Sequence, residues 1–229
     1  MHGIIFTELR KYVDEQLGAT AWGGLLASAG LKGRMYLPIR EYPDAEAIAL
    51  VGAAADVTGL EVPAILEDFG RFIAPSLLGM YRTIVKPEWR TLDVIENTED
   101  TIHTVVRARN PGAKPAKLKA VRLSATELQL IYSSDRKLCP VARGIMKGVA
   151  ACFDEEISVE ETKCMHDGAD HCEMTVVLLP AKKSGRKATA KAPKAKAPKP
   201  AATKGAKQTR TKAGSKTAKK KVGAKAKVA

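Results

Sequence analysis

The chain has 229 residues and carries 38 Lys and Arg against 25 Asp and Glu. Residues 181–229 hold 18 of the basic residues and none of the acidic ones, so residues 1–180 are mildly acidic. This split excludes any inference of a basic binding face on residues 1–180 from the overall charge.

The hydropathy pattern predicts a soluble, cytoplasmic protein that binds no membrane. No run of about 18 apolar residues occurs, and Glu8, Arg10 and Lys11 stand where a signal peptide needs an unbroken apolar segment. Residues 1–180 are long enough for one folded domain, whereas the Lys-, Ala- and Pro-rich composition of residues 181–229 predicts a disordered tail.

Hydrophobic spacing predicts helices over most of the first 110 residues. The first helix is marked by apolar residues that recur every three to four positions, namely Ile5, Phe6, Leu9, Tyr12, Val13 and Leu17. Three further helices are predicted: one from Asp44, as its cap, to Val57, one from about Val62 to Tyr81 interrupted at Pro75, and one from about Leu92 to Arg109. The last of these ends before the stop signal Asn110-Pro111-Gly112.

The pattern then changes to the alternation typical of strands. Residues 118–123 and 127–134 are predicted to form a hairpin, residues 138–153 a helix, and residues 157–163 and 172–179 a second strand pair. Helices followed by antiparallel strands indicate an α+β fold, in which an N-terminal helical subdomain packs on a C-terminal antiparallel sheet with helices.

His103 lies near the middle of the last N-terminal helix, on the side of the apolar residues Ile95, Ile102 and Val106. A buried imidazole needs a partner, and two interpretations are open. It is either a core histidine bonded to a nearby carbonyl or an axial ligand to a haem iron, since neutral imidazole is a common proximal donor.

The segment Tyr132-Ser133-Ser134-Asp135-Arg136 offers hydrogen-bond donors at alternate positions. Tyr132, Ser134 and Arg136 are two residues apart, so they are predicted to project from one face of an extended strand. Two hydroxyls and a guanidinium suit the two propionate carboxylates of haem. The alternative is a solvated strand end with ordinary polar residues.

Together these features resemble the haem nitric oxide/oxygen-binding (H-NOX) domains, the family that includes the haem domain of soluble guanylate cyclase. The resemblance runs from Met1 to about Leu179 and rests on five segments in order: Met1-His2-Gly3-Ile4-Ile5, His103 on its helix, Gly112-Ala113-Lys114-Pro115, the Y-x-S-x-R strand and Phe153 to Glu160. It implies haem b between the two subdomains, with His103 on the iron and Tyr132, Ser134 and Arg136 on the propionates.

The resemblance also implies a ligand preference. Family members that hold dioxygen place a donor tyrosine five residues after the motif arginine, where this chain has Val141, and supporting polar groups where it has Leu9 and Ala74. With Ile5, Pro115 and Ile145 these residues would form an apolar haem pocket. Bound dioxygen needs a hydrogen-bond donor, so the resemblance implies selectivity for nitric oxide, and also carbon monoxide, over dioxygen.

The implied activity is that of a non-enzymatic gas sensor. Nitric oxide binds ferrous iron, weakens or breaks the bond to His103, and frees the His103 helix to shift. Since no nucleophile and base, phosphate loop or carboxylate pair stands out, we predict no enzyme. The signal would pass to a partner protein, which in this family is commonly a histidine kinase or a cyclic-nucleotide enzyme.

Cysteines late in the domain indicate a second site. Cys139, Cys164 and Cys172 resemble the thiols of a zinc site found in some family members. The family's histidine position is Glu161 here, so His166 or His171 would have to complete a tetrahedral zinc site of three thiolates and one imidazole. The alternative is a set of reduced, half-buried thiols. Cys152, on the apolar face of its helix, is predicted to lie in the core.

The tail resembles those of linker histones, since residues 181–229 repeat Lys-Ala and Ala-Pro-Lys units. Dense Lys without aromatic residues favours non-specific attraction to nucleic-acid phosphates, although a solubilising or partner-docking tail is the alternative. The second candidate function is therefore a nucleic-acid-associated protein whose folded part is a zinc or thiol redox module.

Overall fold

Helices form the N-terminal part of the computed structural model, which describes residues 1–110 and 112–180. Their bounds are α1 Gly3–Leu17, α2 Ala21–Ser28, α3 Asp44–Thr58, α4 Val62–Tyr81, α5 Thr91–Asn97 and α6 Thr104–Arg109, with a π-helical turn at Thr98–His103. The predicted tail, residues 181–229, lies outside the described residues.

The helical subdomain is organised around an aromatic core. Phe6 of α1 is fully buried and stacks on Tyr36 with ring centroids 4.1 Å apart, while Tyr42 meets Phe6 edge-on at 5.5 Å. The apolar stripe predicted for α1 supplies much of this core. Helix α2, with the sequence AWGGLLAS, was not among the predicted helices because it is short and contains two adjacent glycines.

The start of α3 differs from the prediction. Pro43, whose backbone is extended, precedes the helix as its cap, and Asp44 is the first helical residue. Its carboxylate instead bonds the terminal ammonium of Met1 at 2.8 Å and Nε of Arg136 at 2.7 Å. Asp44 therefore links the N-terminus to the loop after the second strand, and tertiary ion pairing replaces the predicted capping role.

Helix α4 runs through Pro75 without a break, so the predicted interruption is wrong. Proline at this position cannot donate to the carbonyl of Arg71, which lies four residues earlier. That carbonyl lies close to Gly148 of helix α7 (Cys139–Cys152), only 2.6 Å from where a Cβ on this glycine would stand. Packing against α7 along this face holds α4 continuous through a residue that would break an isolated helix.

The close approach of α4 and α7 depends on glycine. A Cβ added at Gly144 would stand 1.9 Å from the carbonyl oxygen of Glu67, and one at Gly70 would stand 2.3 Å from that of Val141. No side chain fits at these two positions, so the two helix backbones meet directly. This contact joins the helical subdomain to the C-terminal half.

A four-stranded antiparallel sheet forms the C-terminal half. Its strands are β1 Lys117–Arg122, β2 Glu127–Ser133, β3 Ile157–Lys163 and β4 Cys172–Leu178, in the order β1-β2-β4-β3, with a 3-10 turn at Met165–Asp167. Alternate β2 residues, Leu128, Leu130 and Tyr132, are buried against α7 and α5 in a second apolar core. The predicted α+β class and both predicted hairpins are confirmed.

Among the described residues, no single helix is both long and apolar enough to cross a membrane. Helices α3 and α4 together meet the length and composition requirement, but the chain bends by 110° between them.

Candidate functional site

The helix predicted to carry His103 is divided by a π-helical turn. Thr98 and Thr101 bond the carbonyls of Val94 and Asn97, four residues earlier, through their side-chain hydroxyls. Hydroxyl bonds of this kind compete with regular helical bonding, and π turns are common at functional sites. His103 is the last residue of this turn, so the local irregularity lies directly at the predicted iron ligand.

The imidazole of His103 is held by one nitrogen. Its side chain is 16% exposed, and Nδ1 lies 2.9 Å from Oε2 of Glu99. A neutral imidazole has one donor and one acceptor nitrogen, and a carboxylate can only accept. Nδ1 therefore carries the proton, which leaves Nε2 with a lone pair suited to a metal.

Glu99 is itself fixed by three donors. Besides His103, the backbone N–H of Leu118 on β1 donates to Oε2 at 3.1 Å, and Arg107 donates to Oε1 at 2.8 Å. Burial raises the pKa of Glu99, but these hydrogen bonds outweigh it and hold the pKa below its usual value. The sequence interpretation missed Glu99, although its spacing of four residues from His103 is a signal that could have found it.

Tyr132, Ser134 and Arg136 do not share one strand face. Tyr132 lies in β2 and is 4% exposed, and burial raises its pKa to about 12 although a hydrogen bond with Ser134 acts in the opposite direction. Strand β2 ends at Ser133, and Ser134 opens a turn closed by the bond from Lys137 N–H to its carbonyl at 3.0 Å. The strand prediction is wrong for two of the three residues because the chain turns there.

Arg136 points its guanidinium towards the helical half. Its Nε donates to Asp44 at 2.7 Å and Nη1 donates to the carbonyl of Lys114 at 2.6 Å. A guanidinium has five N–H donors, so it can keep these partners and still donate to a ligand carboxylate. Tyr132, Ser134 and Arg136 thus form a donor group close to the junction of the two halves.

The predicted apolar pocket residues lie on elements from both halves. Leu9 is buried on α1 and Ala74 on α4, whereas Ile5, Pro115, Val141 and Ile145 are half-buried. Ile145 packs against the helical core that contains Leu9 and against the cluster that contains Ala74 and Trp89. Apolar side chains, a histidine, and hydroxyl and guanidinium donors are the residue types that fit haem, which is apolar in its ring and anionic at its propionates.

Three cysteines and a glutamate form a compact cluster. The ligand atoms of Cys139, Cys164, Cys172 and Glu161 all lie within 4.8 Å of one another. Sγ of Cys164 is 3.8 Å from Sγ of Cys139 and 3.9 Å from Sγ of Cys172. These separations equal the edge of a tetrahedron with zinc–sulfur bonds of about 2.3 Å, which is about 3.8 Å.

The two histidines predicted for this cluster lie elsewhere. Nε2 of His166 is 2.8 Å from the carbonyl of Lys137, and His171 lies between the carboxylates of Asp170 and Glu173, at 2.8 and 2.9 Å. The prediction that His166 or His171 joins the three thiols is therefore wrong, and Glu161 lies with them instead. The reason is the strand register. Glu161 lies within β3 and pairs with Met174 of β4, whereas His166 and His171 lie in the connection between the two strands.

Glu161 connects the cluster to α4. One carboxylate oxygen accepts a hydrogen bond from Arg143, and Arg143 and Lys147 both pair with Glu67 of α4. The other oxygen, Oε1, is buried and has no hydrogen-bond partner among the described residues. Burial is the main cause that raises the pKa of Cys139 and that of Cys172, the latter to about 11, so both thiols stay protonated unless a cation binds.

Cys152 does not join this group. It is exposed at the end of α7, beside a surface cavity lined by Leu78, Val85, Trp89 and Phe153. Its prediction as a core residue is wrong, because α7 ends there and its last two residues, Ala151 and Cys152, are exposed.

Comparison with known proteins gives one family match. The model of the family described as Haem-NO-binding matches residues 2–161. Soluble guanylate cyclase gcy-31 of Caenorhabditis elegans is 23% identical over 170 residues, which are 73% of this chain and 24% of the cyclase. The chain thus spans about a quarter of the length of this curated relative.

Solved structures match the same part of the chain. An H-NOX protein from S. oneidensis in the Fe(II)NO ligation state is 28% identical with a TM-score of 0.74, over 79% of this chain and 100% of that chain. The H-NOX domain SO2144 from Shewanella oneidensis in the Fe(II)CO ligation state is 28% identical with a TM-score of 0.71, over 78% of this chain and 99% of that chain.

Proposed function

Because the chain belongs to the Haem-NO-binding family, we propose that residues 1–180 bind haem b and sense nitric oxide, and also carbon monoxide, without catalysing a reaction. The observation that carries this proposal is His103, whose Nδ1 is bonded to Glu99 so that Nε2 can bind iron. When bound, haem supplies the ferrous iron at which the gas binds. Tyr132, Ser134 and Arg136 donate hydrogen bonds to the propionates in this proposal.

The same residues support selectivity for nitric oxide over dioxygen. Ile5, Leu9, Ala74, Pro115, Val141 and Ile145 have apolar side chains that give a bound gas no hydrogen-bond donor. Bound dioxygen gains negative charge and depends on such a donor, whereas nitric oxide and carbon monoxide do not. Stable dioxygen binding by the reduced protein would contradict this selectivity.

The test is the absorbance spectrum of the reduced protein with and without nitric oxide. We expect a Soret band that shifts with nitric oxide, that is lost in His103→Gly, and that added imidazole restores. His166→Ala is the matched control, because His166 bonds a carbonyl far along the chain from the proposed ligand. Colourless protein from haem-replete cells, or a spectrum that nitric oxide leaves unchanged, would contradict the proposal.

We propose that weakening of the bond between His103 and the iron is the signal. The helical segment with His103 is tied to β1 at two places, through Glu99 to Leu118 and through Arg122, which donates to Asp93 and Glu96 at 2.9 and 2.8 Å. A displacement of His103 therefore reaches the sheet through these hydrogen bonds. The receiving partner is a histidine kinase or a cyclic-nucleotide enzyme in this proposal, and the proposed location is cytoplasmic.

A second proposal is that the cysteine cluster binds zinc. It is supported by the tetrahedral spacing of the sulfur atoms and by Glu161 in the same cluster, whose buried Oε1 has no hydrogen-bond partner among the described residues. Three thiolates and one carboxylate are ligands that zinc accepts. About one zinc per chain is expected in protein purified without chelator. Zinc-free protein would contradict this proposal. The cluster would then be a set of reduced thiols that could act through thiol oxidation.

A third proposal concerns residues 181–229, whose dense lysines favour non-specific attraction to nucleic-acid phosphates. Its support is composition alone. Affinity for DNA should fall steeply as salt is added, and affinity that is independent of salt would contradict it.

A further inference from the structure

Glu99 lies beside the proposed iron ligand in an arrangement that goes beyond an ordinary surface ion pair. Its Oε2 accepts from both Nδ1 of His103 and the backbone N–H of Leu118, so one oxygen joins the ligand to a strand. Arg107 holds the other oxygen at 2.8 Å. The carboxylate cannot rotate without breaking at least one of these three bonds.

We propose that Glu99 is a positioning residue for His103, which sets how strongly the imidazole holds the haem iron. This inference rests on the proposed function, since it takes His103 as the axial ligand. Glu99 fixes the tautomer that has its proton on Nδ1, so the lone pair of Nε2 is available to bind the iron. Partners of this kind also orient the ring and raise the basicity of the ligand nitrogen.

The consequence is a tighter bond between His103 and iron than a neutral hydrogen-bond acceptor would give. A carboxylate accepts a hydrogen bond about twice as strong as a neutral group does. Partial negative charge is thereby passed to the imidazole, which stabilises the oxidised iron relative to the reduced iron. Nitric oxide must therefore displace a stronger ligand, and Glu99 sets the threshold of the sensor.

The second consequence is mechanical. Because Oε2 of Glu99 also accepts from Leu118, His103 is coupled to the β1 backbone through a single atom. Movement of His103 away from the iron must either break its bond to Glu99 or carry Glu99 with it, which pulls on the bond to Leu118 of β1. When Glu99 moves with His103, the displacement reaches the strand through the bond between Glu99 and Leu118.

Glu96 provides the matched control. It lies one turn earlier, is partly buried like Glu99, and pairs with Arg122 at 2.8 Å. A purely structural contribution from a carboxylate on this segment would appear equally in Glu96→Gln. A contribution to the imidazole would appear only in variants of Glu99.

The experiment uses the full haem-loaded chain and the variants Glu99→Gln, Glu99→Leu and Glu96→Gln. Resonance Raman spectroscopy of the reduced protein gives the iron–histidine stretching frequency, and spectroelectrochemistry gives the midpoint potential. We expect the frequency to fall and the potential to rise from wild type to Gln to Leu, with Glu96→Gln equal to wild type. The rate at which nitric oxide displaces the histidine should rise about tenfold in Glu99→Leu.

The outcomes separate this inference from the proposed function. A wild-type protein with no iron–histidine band contradicts His103 as the ligand. A wild-type band that is unchanged in Glu99→Gln overturns the role of Glu99 and leaves the ligand assignment intact. Gln is nearly isosteric with Glu, so this variant decides the matter even where Glu99→Leu does not fold.

Discussion

Two glutamates, Glu99 and Glu161, stand beside the two proposed metal-binding groups, and their surroundings give them different roles. Glu99 accepts three hydrogen bonds over its two oxygens, one of them from His103, so it is suited to orient a ligand. Glu161 bonds Arg143 through one oxygen and keeps the other buried without a hydrogen-bond partner among the described residues. It is therefore suited to be a ligand. Both residues are glutamates, so it is the number of hydrogen-bond donors around each carboxylate that separates the two roles.

The largest expected effect comes from removing a thiol from the cluster. In Cys164→Ser we expect zinc content to fall from about one per chain to none, because three-ligand sites hold structural zinc poorly. Thermal stability should fall with it, since zinc binding contributes folding free energy. Elemental analysis and a melting curve measure both. Cys152→Ser, at an exposed thiol outside the cluster, should change neither quantity.

A smaller effect is expected from Glu161→Gln, which keeps the shape of the side chain and removes its charge. If Glu161 is a ligand, its loss leaves the three thiolates, and zinc affinity should fall by more than the about 10- to 100-fold that loss of an outer-shell partner costs, as measured by competition with a chromogenic chelator. Glu173→Gln, on the neighbouring strand, is the control. Equal zinc affinity in wild type and Glu161→Gln would assign Glu161 only to its ion pair with Arg143.

Glu161 is connected to α4 through Arg143 of α7, and this connection depends on close contact between α4 and α7. Gly144→Ala would place a Cβ against the carbonyl of Glu67, and overpacking of this kind costs about 1–3 kcal/mol of unfolding free energy. Gly52→Ala in α3, where an added Cβ meets nothing within 4 Å, should instead stabilise by about 0.5–1 kcal/mol. Urea unfolding measures the free energy of unfolding of both variants. Equal values for the two variants would contradict the direct backbone contact between α4 and α7.

The smallest expected effect is a change in how the free energy of unfolding depends on pH, and it comes from Glu67 of α4. Burial raises the pKa of Glu67, but bonds from Lys147 and Arg143 outweigh it and hold the pKa below its usual value. Its contribution, about 1 kcal/mol, is therefore present above the unfolded pKa near 4.5 and is lost as pH falls through the lower folded pKa. Glu67→Gln should be less stable than wild type at pH 7 and should converge with it in acid, as urea titrations at several pH values would measure. A constant difference between the two proteins would contradict this.

Much of the fold could be predicted because it depends on local patterns. The apolar spacing of α1 and the alternation along β2 reflect which side of an element meets the core, and that information lies within each segment. The exceptions are instructive. Pro75 should interrupt α4, but the helix continues because α7 packs beside the carbonyl that proline cannot bond. Asp44 should cap α3, but it is drawn into ion pairs with Met1 and Arg136.

The sequence by itself determined the residue types available to each site: a histidine on a helix, hydroxyl and guanidinium donors near a strand end, and three thiols late in the domain. Only the tertiary structure decided which carboxylate serves which group. Glu161 reaches the thiols because antiparallel pairing sets β3 beside β4, and Glu99 is tied to β1 because the N–H of Leu118 completes its bonding. Both contacts join different secondary-structure elements, and no local pattern carries the exact register that brings the side chains together.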